Sequence, residues 1–535
     1  HLHVIFRSFL MFSFQKPSCK SRKSCKFSVA AILSCLSFAS LTVTAWGGKA
    51  SSSASPTDRL ALRHGGHLRK QTNVQASQAF DEVHLENRQV LQNVDGAMYT
   101  TTITVGGRAF QSILDTGSFE LLVFSTHCDS LCGDIDWLYD EAQSETFEAG
   151  KLVATQSFGS GSATSKESWE TIATGAGEVK HQVFWQVYNA ELPMIWNGGF
   201  QVILGLGPPA SALRLAQLEA RKSRRMLGEH LATDPTNDRV LTDLENKEAV
   251  AQHARAASSL VQNLGLQCFS ICLGKAWGSP GYFVWQDTLP QYRPQRMFST
   301  VPVQDGFYWS TELWNVSLNH KPGILNGSIP LGCHQESCSA IFDTGTSLIV
   351  VPSSALIIFE DALEKWRKLS GNCTDLSSLP DLEFTLGDSR ISLPPESYVG
   401  DVSHAEMDVD PGLLRFMPHI FMQGDRKFEA AELDERGEAR DSCVPLLMVM
   451  DQHTKFGQAW IFGLPFFRHF YTTFKLRADD GDGKPPVPES ISFARADDDC
   501  YPSDLSDVEG EDLPLQSTSQ GRQGQQGQQG QQGQQ

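Results

Sequence analysis

Basic residues are in deficit. The 535-residue chain carries 44 Lys and Arg against 62 Asp and Glu, a formal charge of −18, which disfavours nucleic acid as a partner. An acidic surface repels itself least when falling pH protonates its carboxylates, which suits work in an acidic compartment. Also missing is the two-residue cysteine spacing of a zinc knuckle. Cys128-Asp-Ser-Leu-Cys132 and Cys333-His-Gln-Glu-Ser-Cys338 are the short-spaced pairs, and neither has it, so no metal is expected. Twelve cysteines nevertheless do not suit a reduced cytosolic chain. The length exceeds one core and fits two lobes with extensions.

What is present is one sentence written twice. Ser112-Ile-Leu-Asp-Thr-Gly-Ser-Phe-Glu-Leu-Leu-Val-Phe124 and Ala340-Ile-Phe-Asp-Thr-Gly-Thr-Ser-Leu-Ile-Val-Val-Pro352 each run an apolar strand into Asp-Thr-Gly and an apolar strand out of it. Gly supplies the backbone freedom of a tight turn. A lone Asp-Thr-Gly is a β-turn with a capping Asp. Two with matching flanks, 228 residues apart, are expected to face each other and bring Asp115 and Asp343 side by side. Two carboxylates that close cannot both ionise, so they share a proton: one acts as base on a water while the other donates to a carbonyl.

On these motifs the chain resembles the pepsin-like aspartic proteases. The resemblance implies an all-β, bilobal fold with few short helices and the active-site cleft between the lobes. It also implies polypeptide substrates, no cofactor, no metal and a monomer. Asp115 and Asp343 are then the catalytic pair, Ser118 and Thr346 bond the outer carboxylate oxygens, Thr116 and Thr344 bind the opposite loop's backbone, and Gly117 and Gly345 keep the turns tight. Cys128–Cys132, Cys333–Cys338 and Cys373–Cys443 match the family's three disulfides. Phe158-Gly159-Ser160-Gly161 matches the tip of the flap, the hairpin that closes over substrate. Here Phe158 stands where the family usually has Tyr, and Leu122 where it usually has Trp, so the usual phenol–indole bond is replaced by an apolar contact. Ile203-Leu-Gly-Leu206 and Trp460-Ile-Phe-Gly463 match the apolar segments beneath the two Asp loops, with Leu464 in place of a common acid. A catalytically inactive peptide-binding or inhibitor-like protein on the same fold is the alternative, although both triplets are whole.

Taken in order, the chain begins at His1, so its start is expected upstream or at Met11. Lys16 to Lys26 is basic and Phe27 to Trp46 is uncharged and apolar, as in a signal peptide, or a signal anchor if uncleaved; only then is a membrane a partner. Segment 1–47 therefore directs the chain to the secretory pathway, and on to secretion or an acidic, lysosome-like vesicle. Residues 48–90 read as a basic prosegment of a zymogen. The N-terminal lobe spans 91–297, with a hairpin turning at Gly106-Gly107 and a solvated helical insertion at about 210–263. The C-terminal lobe spans 298–497 and carries glycosylation sequons at Asn315, Asn326 and Asn372. Ser490 to Ala494 is expected to be the last strand of the sheet joining the lobes. Residues 498–535, acidic and then Gln/Gly-rich, read as a disordered tail. Cys268 and Cys272 fall roughly 13 Å apart along one strand, too far for a mutual bridge, and read as small core side chains. Cys500 shows no partner and reads as free or intermolecular.

Overall fold

Short, largely apolar strands surround both Asp turns, and their burial explains the sheet arrangement. In the computed structural model the described residues are 87–128, 132, 138–192, 199–231, 238–276, 278–288, 298–319, 327–369, 375–401, 443–477 and 485–503. The chain divides into two units, His1–Leu68 and Arg69–Gln535, and every described residue lies in the second. The leader, most of the prosegment, Cys373, two of the three sequons and the Gln/Gly tail lie outside the described residues.

The first half contributes β1 (Arg88–Val94), β2 (Met98–Val105), β3 (Arg108–Asp115), β4 (Leu121–Phe124), β5 (Glu148–Phe158), β6 (Gly161–Thr174), β7 (Gly177–Glu191), β8 (Val202–Gly205), β9 (Cys268–Cys272) and β10 (Gly281–Trp285). β4 and β8 are buried at every position, the pattern of strands covered on both faces. β3 runs parallel to β8, with Asp115 opposite Gly205, and β4 runs antiparallel to the other side of β8. The loop between β3 and β4 must therefore cross over the end of β8. Gly106 and Gly107 close the β2–β3 hairpin with φ of 58° and 77°, the left-handed pair that a two-residue turn needs.

The second half repeats this arrangement. Strands β11 (Ser299–Pro302), β12 (Ser310–Asn319), β13 (Ser328–Gly332), β14 (Cys338–Phe342) and β15 (Ile349–Val351) follow. β14 runs parallel to the strand Gly457–Phe462, with Phe342 opposite Phe462, and β15 pairs antiparallel with that same strand. Among the described residues these make sheets of thirteen and nine strands and one two-stranded pair, the bilobal all-β fold expected. The halves join where β9 pairs with Phe470–Arg477, which pairs in turn with Val487–Arg495. The strand holding Ser490 to Ala494 is the last of this sheet in sequence, but β11 flanks it at the edge.

Two readings of the sequence are corrected. Cys272 is bonded to Cys500, with Cα atoms 5.6 Å apart, so Cys272 is no mere core filler and Cys500 is neither free nor intermolecular. The physical reason is that the chain beyond Arg495 turns back over the end of β9: the backbone N–H of Ala496 donates to His469 O, and Cys500 is 1 % exposed. The fold thus continues into the stretch read as tail. Cys268, at the other end of β9, is the free buried thiol among the described residues.

The insertion forms helices α1 (Ser211–Leu231), α2 (Asp238–Ala256) and α3 (Leu260–Asn263). It is not a free excursion. Asn246 on α2 donates to Val153 O at 2.6 Å and accepts from Val153 N–H at 3.4 Å, so a side-chain amide covers a gap in the edge strand β5 as a neighbouring strand would. His253 pairs with Glu167 of β6 at 2.6 Å, the two side chains only 16 % and 7 % exposed.

Candidate active site

Each Asp is delivered by the end of a buried strand. Asp115 is the last residue of β3 and Asp343 follows β14 directly. The Leu206 N–H donates to Asp115 O at 2.7 Å and the Asp343 N–H donates to Phe462 O at 3.1 Å. The apolar segments that the sequence pointed to, Ile203–Leu206 and Trp460–Gly463, are thus the anchors of the two loops.

The loops hold each other reciprocally. Thr116 N–H donates to Thr344 Oγ1 and Thr344 N–H to Thr116 Oγ1, each at 3.0 Å. The Thr116 hydroxyl donates to Phe342 O at 2.9 Å and the Thr344 hydroxyl to Leu114 O at 2.5 Å. Four bonds therefore join two segments that lie 228 residues apart, all in a buried setting where an unmade bond costs most. Gly117 N–H donates to Asp115 Oδ1 at 2.9 Å and Gly345 N–H to Asp343 Oδ1 at 2.8 Å. A Cβ on Gly117 would stand 2.5 Å from Asp343 Cγ, and one on Gly345 would overlap Asp115 Oδ1. Each glycine is thus pressed against the carboxylate of the opposite loop, so the two carboxylates face one another.

The flanking hydroxyls differ. Thr346 donates to Asp343 Oδ2 at 2.6 Å. Ser118 Oγ is enclosed and closes no hydrogen bond, although it lies near enough to Asp115 to lower that carboxyl's pKa. Burial first, and the charge of Asp343 second, push Asp115 up to about 8 against the pull of Ser118 and the Gly117 N–H. Leu464 has no acid to offer, but its backbone N–H donates to Thr346 O at 2.9 Å.

The structure places the remaining residues singled out as follows. Phe158 faces Gly161 across the closed end of the β5–β6 hairpin, with Gly159 and Ser160 at the turn. Phe158 packs on an apolar cluster that contains Leu122, Trp185, Phe200 and Ile203. Cys128–Cys132 and Cys333–Cys338 are disulfide-bonded; Cys443 lies on the strand Cys443–Pro445, while its expected partner Cys373 is outside the described residues. No cluster of metal-ligating side chains is found among the described residues, nor a helix long and apolar enough to cross a membrane.

Sequence reasoning missed two features. Phe119, Phe307 and Tyr308 form an aromatic group, with Phe119 at 5.3 Å and 5.5 Å from the other two rings. Burial, then the charges of Asp343 and Asp115, raise the Tyr308 phenol, and Phe119 itself belongs to the loop that follows Asp115. The other is Glu120, whose signal was a lone charge inside the run from Phe119 to Phe124.

The sequence comparisons agree with this geometry. The family described as eukaryotic aspartyl protease matches residues 98–231 and 250–413, more than half of the chain, and both Asp turns fall inside these spans. Pepsin A of Sus scrofa is 26% identical over 404 residues, covering 74% of this chain and 83% of the relative. Pepsin-2B of Gadus morhua is 26% identical over 390 residues, covering 72% and 94%. Pepsin II-1 of Oryctolagus cuniculus is 24% identical over 390 residues, covering 72% and 80%. With two Asp-Thr-Gly loops locked face to face on a bilobal β fold, the chain belongs to the eukaryotic aspartyl protease family.

Proposed function

We propose that the protein is an acid-acting aspartic endopeptidase whose catalytic pair is Asp115 and Asp343. The observation that carries this is the reciprocal lock of the two loops, which sets two carboxyls face to face with the opposite glycine pressed against each. Two carboxyls so placed hold one proton between them. The ionised member takes a proton from a water as its oxygen attacks the scissile carbonyl carbon. The protonated member gives its proton to the carbonyl oxygen. Collapse of the resulting gem-diol breaks the C–N bond and hands a proton to the leaving amine, and the pair is restored with no covalent intermediate. Because burial favours the protonated form of Asp115, the singly protonated pair persists through acid pH and activity falls where that proton leaves.

Thr116 and Thr344 hold the loops, Thr346 orients Asp343, and the β5–β6 hairpin is the flap, with Phe158 at its tip resting by contact on the wall that contains Leu122. Residues 48–90 keep the precursor latent until acid. Passage through the secretory pathway accords with disulfides at Cys128–Cys132, Cys272–Cys500 and Cys333–Cys338. The test is digestion of a mixed peptide library by the purified protein at acid pH, with and without a statine-type peptide that mimics the gem-diol. Internal cleavage abolished by the mimic supports the reading; an undigested library, with precursor and truncated forms both tried, overturns it.

A further inference from the structure

Helix α1 of the insertion wears its apolar side chains on the outside. A surface helix ordinarily buries its large apolar residues and exposes its polar ones. Between Ser211 and Met226 the buried positions are instead Ser211, Ala220 and Ser223, all small. They fit a helix packed along α2: Lys247 Nζ of α2 donates to Ser223 Oγ at 2.9 Å, and Ser211 Oγ donates to Phe307 O at 2.6 Å. Leu215, Leu218 and Met226 are 38 %, 51 % and 41 % exposed. Six large apolar side chains are exposed among the described residues, and these are three of them. Half of the set on one helix is not the single scatter of an ordinary surface.

The three form one row. Positions 215, 218, 222 and 226 follow the i, i+3, i+7, i+11 line of a helix, so Leu215, Leu218 and Met226 share with Lys222 a stripe roughly 16 Å long. Arg214, Arg221 and Arg225, spaced by seven and four, make a second row beside it, and every one of these side chains is exposed. From Ser211 to Met226 there are five basic residues and one acid, Glu219, a net +4 in a chain whose total is −18. Arg214 donates to Asp305 O at 2.8 Å, Arg224 pairs with Glu248, and Lys222 meets Glu219 at 3.7 Å. Arg221 and Arg225 pair with no acid among the described residues.

We propose that this face of α1 docks the protein on an anionic phospholipid bilayer, a role independent of the peptidase reading. Leu215, Leu218 and Met226 enter the boundary of headgroups and acyl chains, while Arg221, Lys222 and Arg225 meet headgroup phosphates. The two rows run along the helix axis, so α1 lies in the plane of the surface rather than entering it end-on. Charge selects the occupant. An acidic protein loses its carboxylate charge as pH falls toward 4, whereas a phosphodiester keeps its charge, so in an acidic compartment the lipid is the lasting partner of a basic row. The acidic remainder of the chain repels the same bilayer, and screening limits that repulsion to charges within about 10 Å of it.

The test reads hydrogen exchange of the 211–226 backbone in the full chain at pH 5, titrated with vesicles of phosphatidylcholine alone or of phosphatidylcholine and phosphatidylglycerol in equal parts. This readout is local, so vesicle binding through segment 27–46 does not mimic it. The mixed vesicles are expected to slow exchange in 211–226 and the neutral ones to leave it unchanged. Arg221→Gln with Arg225→Gln should need roughly 25-fold more lipid for half the effect, at about fivefold per charge, and Leu218→Gln roughly tenfold more. Arg221→Lys with Arg225→Lys should keep the effect. All these side chains are exposed, and circular dichroism checks that each variant is folded. Exchange unchanged by the mixed vesicles, or slowed equally in the unaltered chain and the Gln pair, overturns the proposal. Exchange slowed by soluble polyglutamate but not by the mixed vesicles assigns the face to an acidic protein and overturns it as well.

Discussion

Replacing Asp115 with Asn should change how stability depends on pH, in a direction and amount set by the structure. Asp115 is 7 % exposed and its carboxyl pKa is raised from an ordinary 3.8 to about 8. The folded chain therefore keeps a proton that the unfolded chain releases throughout that window. The stability linked to this proton is fully present below the unfolded pKa and is lost as pH rises toward the folded one. One proton corresponds to a slope of about 1.4 kcal/mol per pH unit, so between pH 5 and pH 7 the group alone removes about 3 kcal/mol. Asn has no proton to lose, yet its carboxamide oxygen still accepts from Gly117 N–H. Asp115→Asn should thus lose less stability than the unaltered protein over this range, the two curves converging in acid. Denaturant midpoints at pH 5, 6 and 7 measure it. Parallel curves would mean that Asp115 is not held protonated by burial and Asp343, and the shared-proton argument would fail with them.

Other expectations follow from single contacts. Glu120→Gln should likewise flatten the stability curve, between its ordinary 4.5 and about 7, by about 3 kcal/mol across the window, measured by the same midpoints. Thr344→Val removes the acceptor for Thr116 N–H and the donor to Leu114 O; each buried group left unpaired costs about 1 to 3 kcal/mol, so a variant with unchanged thermal stability would show the lock to be slack. Cys272→Ser with Cys500→Ser opens a bridge spanning 228 residues and should cost about 2 to 5 kcal/mol, read as a lowered denaturant midpoint under non-reducing conditions. At the flap, Phe158→Tyr alone should not raise turnover, since its hydroxyl would meet Leu122. Phe158→Tyr with Leu122→Trp should be less harmful than the two single losses added, and strict additivity in a kinetic cycle would separate the two positions.

What could be read in the sequence was what local backbone chemistry dictates. Asp-Thr-Gly turns and the Gly106-Gly107 hairpin announce themselves within a few residues, while the apolar segments at Gly205 and Gly463 were legible through the family resemblance. The facing of the two loops followed from their matching flanks. What could not be read depends on which distant strands become neighbours. Cys272 meets Cys500 only because the chain after Arg495 returns over β9, an outcome of sheet order that no spacing encodes. Trp185 lies opposite Leu122 through the β4–β7 register, so an indole stands beside the very position where the sequence lacks one. The docking of the insertion on β5 hangs on the Asn246 amide and on His253; helical periodicity says that a helix packs, not against what.

The central claim is that Asp115 and Asp343 work as one unit with one proton. Its most direct test is turnover of an internally cleaved peptide from pH 2 to pH 10 by the unaltered protein, Asp115→Asn and Asp343→Asn, with matching circular dichroism to show that all three are folded. The account predicts a bell-shaped profile for the unaltered protein and, for either variant, a loss of at least about 10²–10⁴-fold, the range expected when a general acid or base is removed. Turnover retained by either folded variant would contradict it.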